Sequence, residues 1–371
     1  MNKGKLAVRV IARVAGSFVF LCLTAFVLFA QSISFAVVGD VGESGADVTA
    51  IAQQMNTYRN TKHKFDFVLL LGDNVYPDGI GKGLAKHFEE PFKELIDSGV
   101  KFYAVLGNHD IRRGTEVQIN YLHFNMGGRR FYSFKVGDGL VEFFALDSTP
   151  LSEEAEELVE ANLLRLQRTE RNTMKALATL RATSTLSVID AVAQKERTLA
   201  QLQSKIVESE NFLKEMRKAK SEQLKWLDEE LPKSNAEWKI AFLHHAIFSS
   251  AYKGFPVKGH GKDKGVLALR KLLNDRFVQN KVDVVFGGHD HVFEKTRAQI
   301  SPTGHKITYI TSGAGSQRRK GDLDKESWFY EFGDDQLHSF LVVHLSPKQM
   351  QIDVIDRYGH NVFPRFTIPK P

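Results

Sequence analysis

Short apolar runs along this chain stop at the same kind of polar punctuation. Residues 34–38 (SFAVV) end in Gly39-Asp40, 67–71 (FVLLL) in Gly72-Asp73, 102–106 (FYAVL) in Gly107-Asn108, and 282–286 (VDVVF) in Gly287-Gly288-His289. Runs this short, β-rich and apolar on both faces, predict buried strands. Open α/β sheets place their sites just past the C-terminal ends of such strands. Each run therefore delivers a polar motif just past its own C-terminal end. Between the runs the spacing turns helical, over 48–58 and 84–96. Near the C-terminus, 340–343 and 350–354 read as a hairpin of strands that closes the second sheet.

From 152 to 220 the texture changes. The stretch has no Gly or Pro and is dense in Glu, Lys, Arg, Gln and Leu. Val192, Leu199, Ile206 and Leu213 recur every seven residues, with Leu202 and Met216 on the companion positions. Val159, Leu163, Leu166, Leu177 and Leu180 keep three–four spacing, and Thr183-Ser184-Thr185 supplies a turn. The pattern predicts an antiparallel helical hairpin with a coiled-coil seam and a charged, solvated outer face.

The N-terminus differs again. Lys3, Lys5, Arg9 and Arg13 precede an apolar run over 14–30, and Ala30 offers a small residue for cleavage. Residues 1–31 read as a secretory signal peptide. An uncleaved membrane anchor is the alternative, since the run is near the lower limit of about 17 residues for a spanning helix. Cys22, the sole cysteine, lies inside this segment. A cleaved chain then has neither disulfide nor thiol chemistry. Cleavage also removes those four positive charges from a net +6, leaving about +2. The basic balance is mostly a property of the leader and gives no reason to expect nucleic-acid binding. The length allows two domains, and a single domain over 32–371 with an insertion at 152–220 is equally compatible.

The chemistry sits in an ordered set of motifs: Gly39-Asp40-Val41-Gly42, Gly72-Asp73-Asn74-Val75-Tyr76, Gly107-Asn108-His109-Asp110, Leu243-His244-His245 and Gly288-His289-Asp290-His291. They supply carboxylates, a phenolate, an amide oxygen and imidazoles. Hard cations take carboxylate oxygens, and borderline ones accept imidazole. One such turn arises readily by chance. The ordered set is what a pair of metal ions with open positions for a phosphate ester requires. Asp73, on the central motif, is the best candidate for a bridging carboxylate.

This set resembles the calcineurin-like metallophosphoesterases and, within them, the purple acid phosphatases, most of all the small tartrate-resistant type. The resemblance runs from about Ile33 to the C-terminus, apart from the helical insertion. It is carried by 65–79 (FDFVLLLGDNVYPDG), 102–119 (FYAVLGNHDIRRGTEVQI), 223–249 and 284–316. Most metallophosphoesterases open with Asp-x-His. Here Gly42 stands at the third position, and Tyr76, three residues after Asp73, is what purple acid phosphatases use instead. A phenolate is a hard anionic donor that favours a trivalent ion.

The resemblance implies an α/β fold, the four-layer α/β/β/α metallophosphoesterase sandwich, here with a long helical-hairpin insertion. It implies that Asp40, Asp73, Tyr76 and His291 hold a first metal, Fe(III). Asp73, Asn108, His244 and His289 would hold a second, divalent one: Fe, Zn or Mn. His109 is implied to lie beside the site, bond the phosphate and protonate the leaving alkoxide. The family pattern Val-x-x-His-x-Pro is altered here by Ala241 and Ala246. Register favours His244 as the ligand, with His245 pointing the opposite way on a strand. The family's further substrate-contacting histidine falls on Lys253 or Gly254. His245, Lys253 and His260 are the candidates for substrate contact.

The implied function is an exported, metal-dependent acid phosphatase. It hydrolyses phosphate monoesters with a hydroxide from the dinuclear centre, and His109 and Asp73 are its catalytic residues. A phosphodiesterase or nucleotide-processing hydrolase on the same centre is the alternative, because the ligands do not select the ester. A redox or binding protein using a di-iron pair is a third reading, and an intact His109 argues against it. The expected partners are small phosphorylated substrates and no nucleic acid, with a membrane only if the N-terminal segment stays uncleaved. The insertion follows Leu146-Asp147-Ser148-Thr149, where the resembling phosphatases carry an exposed loop beside the site. It is expected to restrict access for bulky substrates or to mediate self-association through 152–220. The leader, and the absence of any Asn-x-Ser/Thr sequon, point to a secreted, periplasmic or cell-envelope bacterial protein.

Overall fold

The computed structural model describes residues 32–182, 189–251 and 264–370. The predicted leader with Cys22, the turn at 183–185, and Lys253 and His260 lie outside the described residues. Among those described, no helix is long and apolar enough to cross a membrane.

Strands β1 (Ile33–Val38), β2 (Phe67–Leu70) and β3 (Lys101–Ala104) run parallel, side by side. In the second sheet β4 (Tyr132–Val136), β5 (Val141–Leu146), β6 (Trp238–His245), β7 (Val284–Gly288), β8 (Phe293–Thr296), β9 (Gln299–Ile300), β10 (Lys306–Ser312) and β11 (Tyr330–Asp334) form an eight-stranded array. Its centre, β5-β6-β7-β10, is parallel.

The C-terminal hairpin, β12 (Ser339–Leu345) and β13 (Gln349–Asp356), does not close this second sheet as expected. β12 pairs antiparallel with β1, and β14 (Phe366–Pro369) completes a six-stranded first sheet ordered β14-β13-β12-β1-β2-β3. The physical reason is burial. Phe340, Leu341, Val342 and Val343 are fully buried. A strand apolar on both faces suits the interior position beside β1 better than an edge.

Aromatic rings fill the space between the sheets. Phe35 stacks on Phe67 at 5.1 Å and meets Phe143 edge-on at 5.2 Å. Each such buried side chain contributes about 1.5–3 kcal/mol. Helices α1 (Ala46–Thr61) and α2 (Glu90–Asp97) share the core of the first sheet through Val48, Ile51, Met55, Phe92 and Leu95. On the outer face of the second sheet, Phe144, Leu146, Leu243 and Val285 meet Leu227, Leu269, Leu273 and Phe277, the last three from α6 (Lys264–Gln279). The layers are therefore α/β/β/α. The predicted helix over 84–96 is split: Ala85–Glu89 is a wider π-turn ahead of α2. It carries the buried His87, whose Nδ1 lies 2.5 Å from the Gly42 carbonyl. A short helix α3 (Thr115–Ile119) follows the third strand-end motif.

The insertion is a helical hairpin, α4 (Glu153–Ala182) and α5 (Ile189–Glu230). Cross-pairs of Arg217 with Glu156 at 2.7 Å and Gln203 with Glu170 at 3.1 Å set it antiparallel. Exposed pairs of this kind contribute about 0–1 kcal/mol each. The hairpin is held mainly by its seam, in which Leu177, Ile206, Leu213 and Met216 are buried. Val192 and Leu199, toward the far end, are only half-buried. Helix α5 runs past the expected limit at 220 because Gln223 and Leu227 dock onto the body.

Candidate metal centre

Three of the strand ends turn through the same unusual backbone. Asp40, Asp73 and His289 have φ of 56°, 51° and 69°. This left-handed region costs a non-glycine residue about 1–3 kcal/mol and clusters at functional sites. Past the turn, Asp40 reaches across to the other sheet, where its Oδ2 accepts from His289 N. Close approach then demands small neighbours. A Cβ on Gly107 would fall 2.1 Å from Asp73 Oδ1. At Gly42 a Cβ would lie 2.7 Å from the Asp73 carbonyl and 2.8 Å from the Tyr76 amide. No side chain fits at position 42, because the segment bearing Tyr76 fills that space.

The polar groups converge on one another. The Tyr76 hydroxyl donates to Asp40 Oδ1 at 3.2 Å, and His291 Nε2 lies 3.4 Å from the same oxygen. His244 Nε2 lies 3.0 Å from Asn108 Oδ1, 3.1 Å from His289 Nδ1 and 3.5 Å from Asp73 Oδ1. His289 Nδ1 is 3.0 Å from Asn108 Oδ1. Ligand atoms of Asp40, Asp73 and His244 all lie within 4.8 Å of one another. Supporting bonds fix these groups from behind. His244 Nδ1 bonds the Leu71 carbonyl at 2.8 Å, His289 N donates to Asp40 Oδ2 at 2.8 Å, and His109 N donates to Asp73 Oδ1 at 2.9 Å.

The electrostatics of this cluster are unfavourable on their own. With the His244 Nδ1 proton directed at Leu71, its Nε2 presents a lone pair to the oxygens of Asn108 and Asp73. Burial pushes the Asp40 carboxyl above its ordinary range. Burial, and then the charges of Asp40 and Asp73, push the Tyr76 phenol far above its own. Buried acceptors facing one another need a cation between them. Oxygen donors, a phenol and imidazoles fit hard and borderline metal ions.

His109 stands at the rim. Its ring meets Tyr76 edge-on at 4.7 Å, and its Nδ1 bonds the Pro77 carbonyl at 2.7 Å. His245 departs from the expected opposite orientation. The β6–β7 register shifts between Phe242 and His245, which breaks the strict alternation of side chains. Its ring lies 4.2 Å from that of His289, and its Nδ1 is 2.8 Å from Ser148 Oγ.

Two supports were not singled out from the sequence. Asp110, fully buried, accepts from the amides of Asn74 at 3.0 Å, Val75 at 3.1 Å and Gly107 at 2.9 Å, and from Gln118 Nε2 at 2.7 Å. It ties the Asp73 loop to the Asn108 loop. Burial, and then the Asp73 charge, raise its carboxyl to about 7. Its signal was its place directly after His109. The second support is Gln223 of α5, which bonds both backbone groups of Asp147, at 2.8 Å each. The Asp147 carboxylate pairs with Arg130 at 2.6 Å.

Comparison with known proteins agrees with this arrangement. Residues 33–293 match the family of calcineurin-like phosphoesterases. Purple acid phosphatase 3 of Arabidopsis thaliana is 27% identical over 340 residues, which span 89% of this chain and 76% of that protein. Among solved structures, GAP50, described as the anchor in the inner membrane complex of Plasmodium, superposes with a TM-score of 0.62 at 16% identity, covering 92% of this chain and 90% of its own. A purple acid phosphatase from yellow lupin (Lupinus luteus) seeds superposes with a TM-score of 0.56, also at 16% identity, over 92% of this chain and 54% of its own. At such identities the structural likeness speaks for the fold.

Proposed function

This chain belongs to the calcineurin-like phosphoesterase family, and we propose that it is a purple-acid-phosphatase-like enzyme that hydrolyses phosphate monoesters at a pair of metal ions. The observation that carries this reading is the convergence of Asp40, Asp73, Tyr76 and Asn108, from the strand ends of the first sheet, with His244, His289 and His291 from the second. Asp40, Tyr76 and His291 would hold Fe(III), Asn108, His244 and His289 a divalent Fe, Zn or Mn ion, and Asp73 would bridge. When bound, such a pair neutralises phosphate charge and makes a water-derived nucleophile available at low pH.

The rest is the work of the chain. Leu71, through its carbonyl, fixes the His244 tautomer and orientation. Asp110 holds the two central loops in register. The Pro77 carbonyl takes the Nδ1 proton of His109 and leaves Nε2 for the substrate. As the water oxygen joins phosphorus and the bond to the leaving oxygen breaks, that oxygen would take the Nε2 proton of a doubly protonated His109, whose Nδ1 proton stays directed at the Pro77 carbonyl. The hairpin α4–α5 is anchored by Gln223 to Asp147, the residue before Ser148, whose hydroxyl bonds His245; from that foothold it would limit access for bulky substrates. The basic, apolar leader supports export to the envelope or medium.

The test is the ratio of phosphomonoester to phosphodiester hydrolysis by the purified chain, from about pH 4 to 9, with Asp40→Asn as the blank. Preference for monoesters at acid pH is the expected result. Preference for diesters, or activity only near neutral pH with added divalent metal, moves the function to a phosphodiesterase.

A further inference from the structure

His109 and Arg112 lie one tight turn apart, across the 3₁₀ segment Asp110–Arg112. In that geometry side chains at i and i+3 eclipse. Arg112 Nη2 comes to 3.5 Å from His109 Nε2, and Arg112 Nη1 donates to the Pro77 carbonyl at 3.2 Å. The same carbonyl takes His109 Nδ1. The guanidinium and the imidazole are thus held over one acceptor, on a turn pinned from beneath by the Asp110 carboxylate. The neighbouring Arg113 is engaged with Asp78 at 3.0 Å. Arg112, by contrast, is exposed and meets a carbonyl and an imidazole, neither of which neutralises it. A second basic arc borders the centre. Arg319 N donates to the His291 carbonyl at 3.2 Å, and Arg318 and Lys320 on either side are exposed.

We propose that Arg112 is a specificity-determining residue, and that the preferred substrates carry a second phosphate on the leaving side of the scissile bond. This rests on the reading of His109 as the group that faces the leaving oxygen. An oxygen bonded to His109 Nε2 at about 2.8 Å is within a few ångströms of the guanidinium. A phosphate attached at or near that oxygen reaches the fork of N–H donors, which matches phosphate in a two-point contact. An uncharged leaving group leaves the fork in water and gains nothing from it. The basic run at 318–320 adds a field of the same sign, which draws in substrates of higher negative charge.

The experiment uses the full, metal-reconstituted chain and two matched pairs of substrates, ADP against AMP and glycerol bisphosphate against glycerol monophosphate. In each pair the two-phosphate member is expected to have the higher kcat/KM, by about tenfold. Arg112→Gln removes that preference, mostly through KM, and Arg112→Lys restores part of it. Preference for ADP alone assigns the second phosphate to an anhydride; preference in both pairs assigns it to any nearby phosphate. A binding measurement runs beside the kinetics. By calorimetry, methylenediphosphonate should bind more tightly than methylphosphonate, and Arg112→Gln should abolish that difference. Hydrolysis of all four substrates without preference, or a preference that survives in Arg112→Gln, overturns the proposal and leaves the phosphatase reading standing. Hydrolysis of none of them overturns the phosphatase reading and this inference with it.

Discussion

The Tyr76 hydroxyl donates to Asp40 Oδ1 at 3.2 Å, so the phenol from one strand-end loop is aimed at the carboxylate from another. Burial and the nearby carboxylates hold that phenol protonated at every ordinary pH. Only a strongly charged cation reverses the preference, and its uptake must then release a proton. Ferric iron added to the purified chain should bind more tightly as pH rises and should give a visible charge-transfer band. Tyr76→Phe should lose the band while keeping the fold by circular dichroism. An unchanged band in Tyr76→Phe would remove Tyr76 from the ligand set.

Asp110 accepts bonds from two loops at once, and Asn presents an NH₂ group where several N–H donors already point. Asp110→Asn should cost about 1–3 kcal/mol, from buried donors left without an acceptor. Because the loops carry Asp73 and Asn108, metal content should fall along with the urea midpoint. Full metal occupancy with a lowered midpoint would confine Asp110 to the fold.

Among the described residues the ring nitrogens of His109 meet the Pro77 carbonyl and Arg112, not the proposed metal ligands. His109→Ala should retain metal and slow turnover of alkyl esters by about a hundredfold. Aryl esters with acidic leaving groups should suffer far less. Equal losses for both classes would argue against proton donation.

Far from the metal centre, Asp353 is bonded by Tyr58 at 2.6 Å, Arg365 at 2.6 Å and His344 at 3.3 Å. Burial alone would raise its carboxyl. The bonds from His344, Arg365 and Tyr58 outweigh burial and hold it below the usual range. A depressed folded value means that the stabilisation is fully present above the unfolded carboxyl value of about 3.9 and is lost as pH falls below it. Asp353→Asn should therefore lower stability by about 1–2 kcal/mol at neutral pH, the partial exposure of Arg365 limiting the loss. The gap to wild type should close progressively below about pH 4. Denaturant titrations at neutral and acidic pH check both halves. A gap of the same size throughout would mean that packing, not charge, carries the effect.

Gln223 gives the hairpin its bonded foothold on Asp147. Gln223→Ala should cost about 1–3 kcal/mol, since it leaves both backbone groups of Asp147 without partners in a buried place. Calorimetric unfolding measures the cost. A parallel rise in turnover of bulky esters would show that the hairpin limits access.

Much of this was legible because it is local. A buried strand that ends in Gly and a ligand residue is written in consecutive positions, so the strands bearing Asp40, Asp73, Asn108 and His289 could be read directly. The hairpin seam repeats at fixed spacing, and Ile206 and Leu213 show it. What depended on distant partners was not legible. The choice of β1 as the neighbour of β12 lies in the burial of Leu341 and Val343, not in their pattern. The orientation of His245 depends on a register shift against β7. Asp110 and Gln118 both lie within 102–119, but nothing in the local pattern says that they meet at Asn74.

Helix α5 runs unbroken for 42 residues. At about 1.5 Å per residue, the distance from Ile189 to Gln223 is roughly 50 Å. The hairpin is thus a long arm whose bonded foot, Gln223 on Asp147, lies one residue before Ser148, the partner of His245. Deleting one residue from α5 before Ile206 rotates everything beyond it by about 100° and unseats the seam. Removing a matched heptad from each helix keeps the seam facing itself and shortens the arm by about 10 Å. In either case Gln223 stays bonded to Asp147, so the reach of the arm can change while its foothold does not.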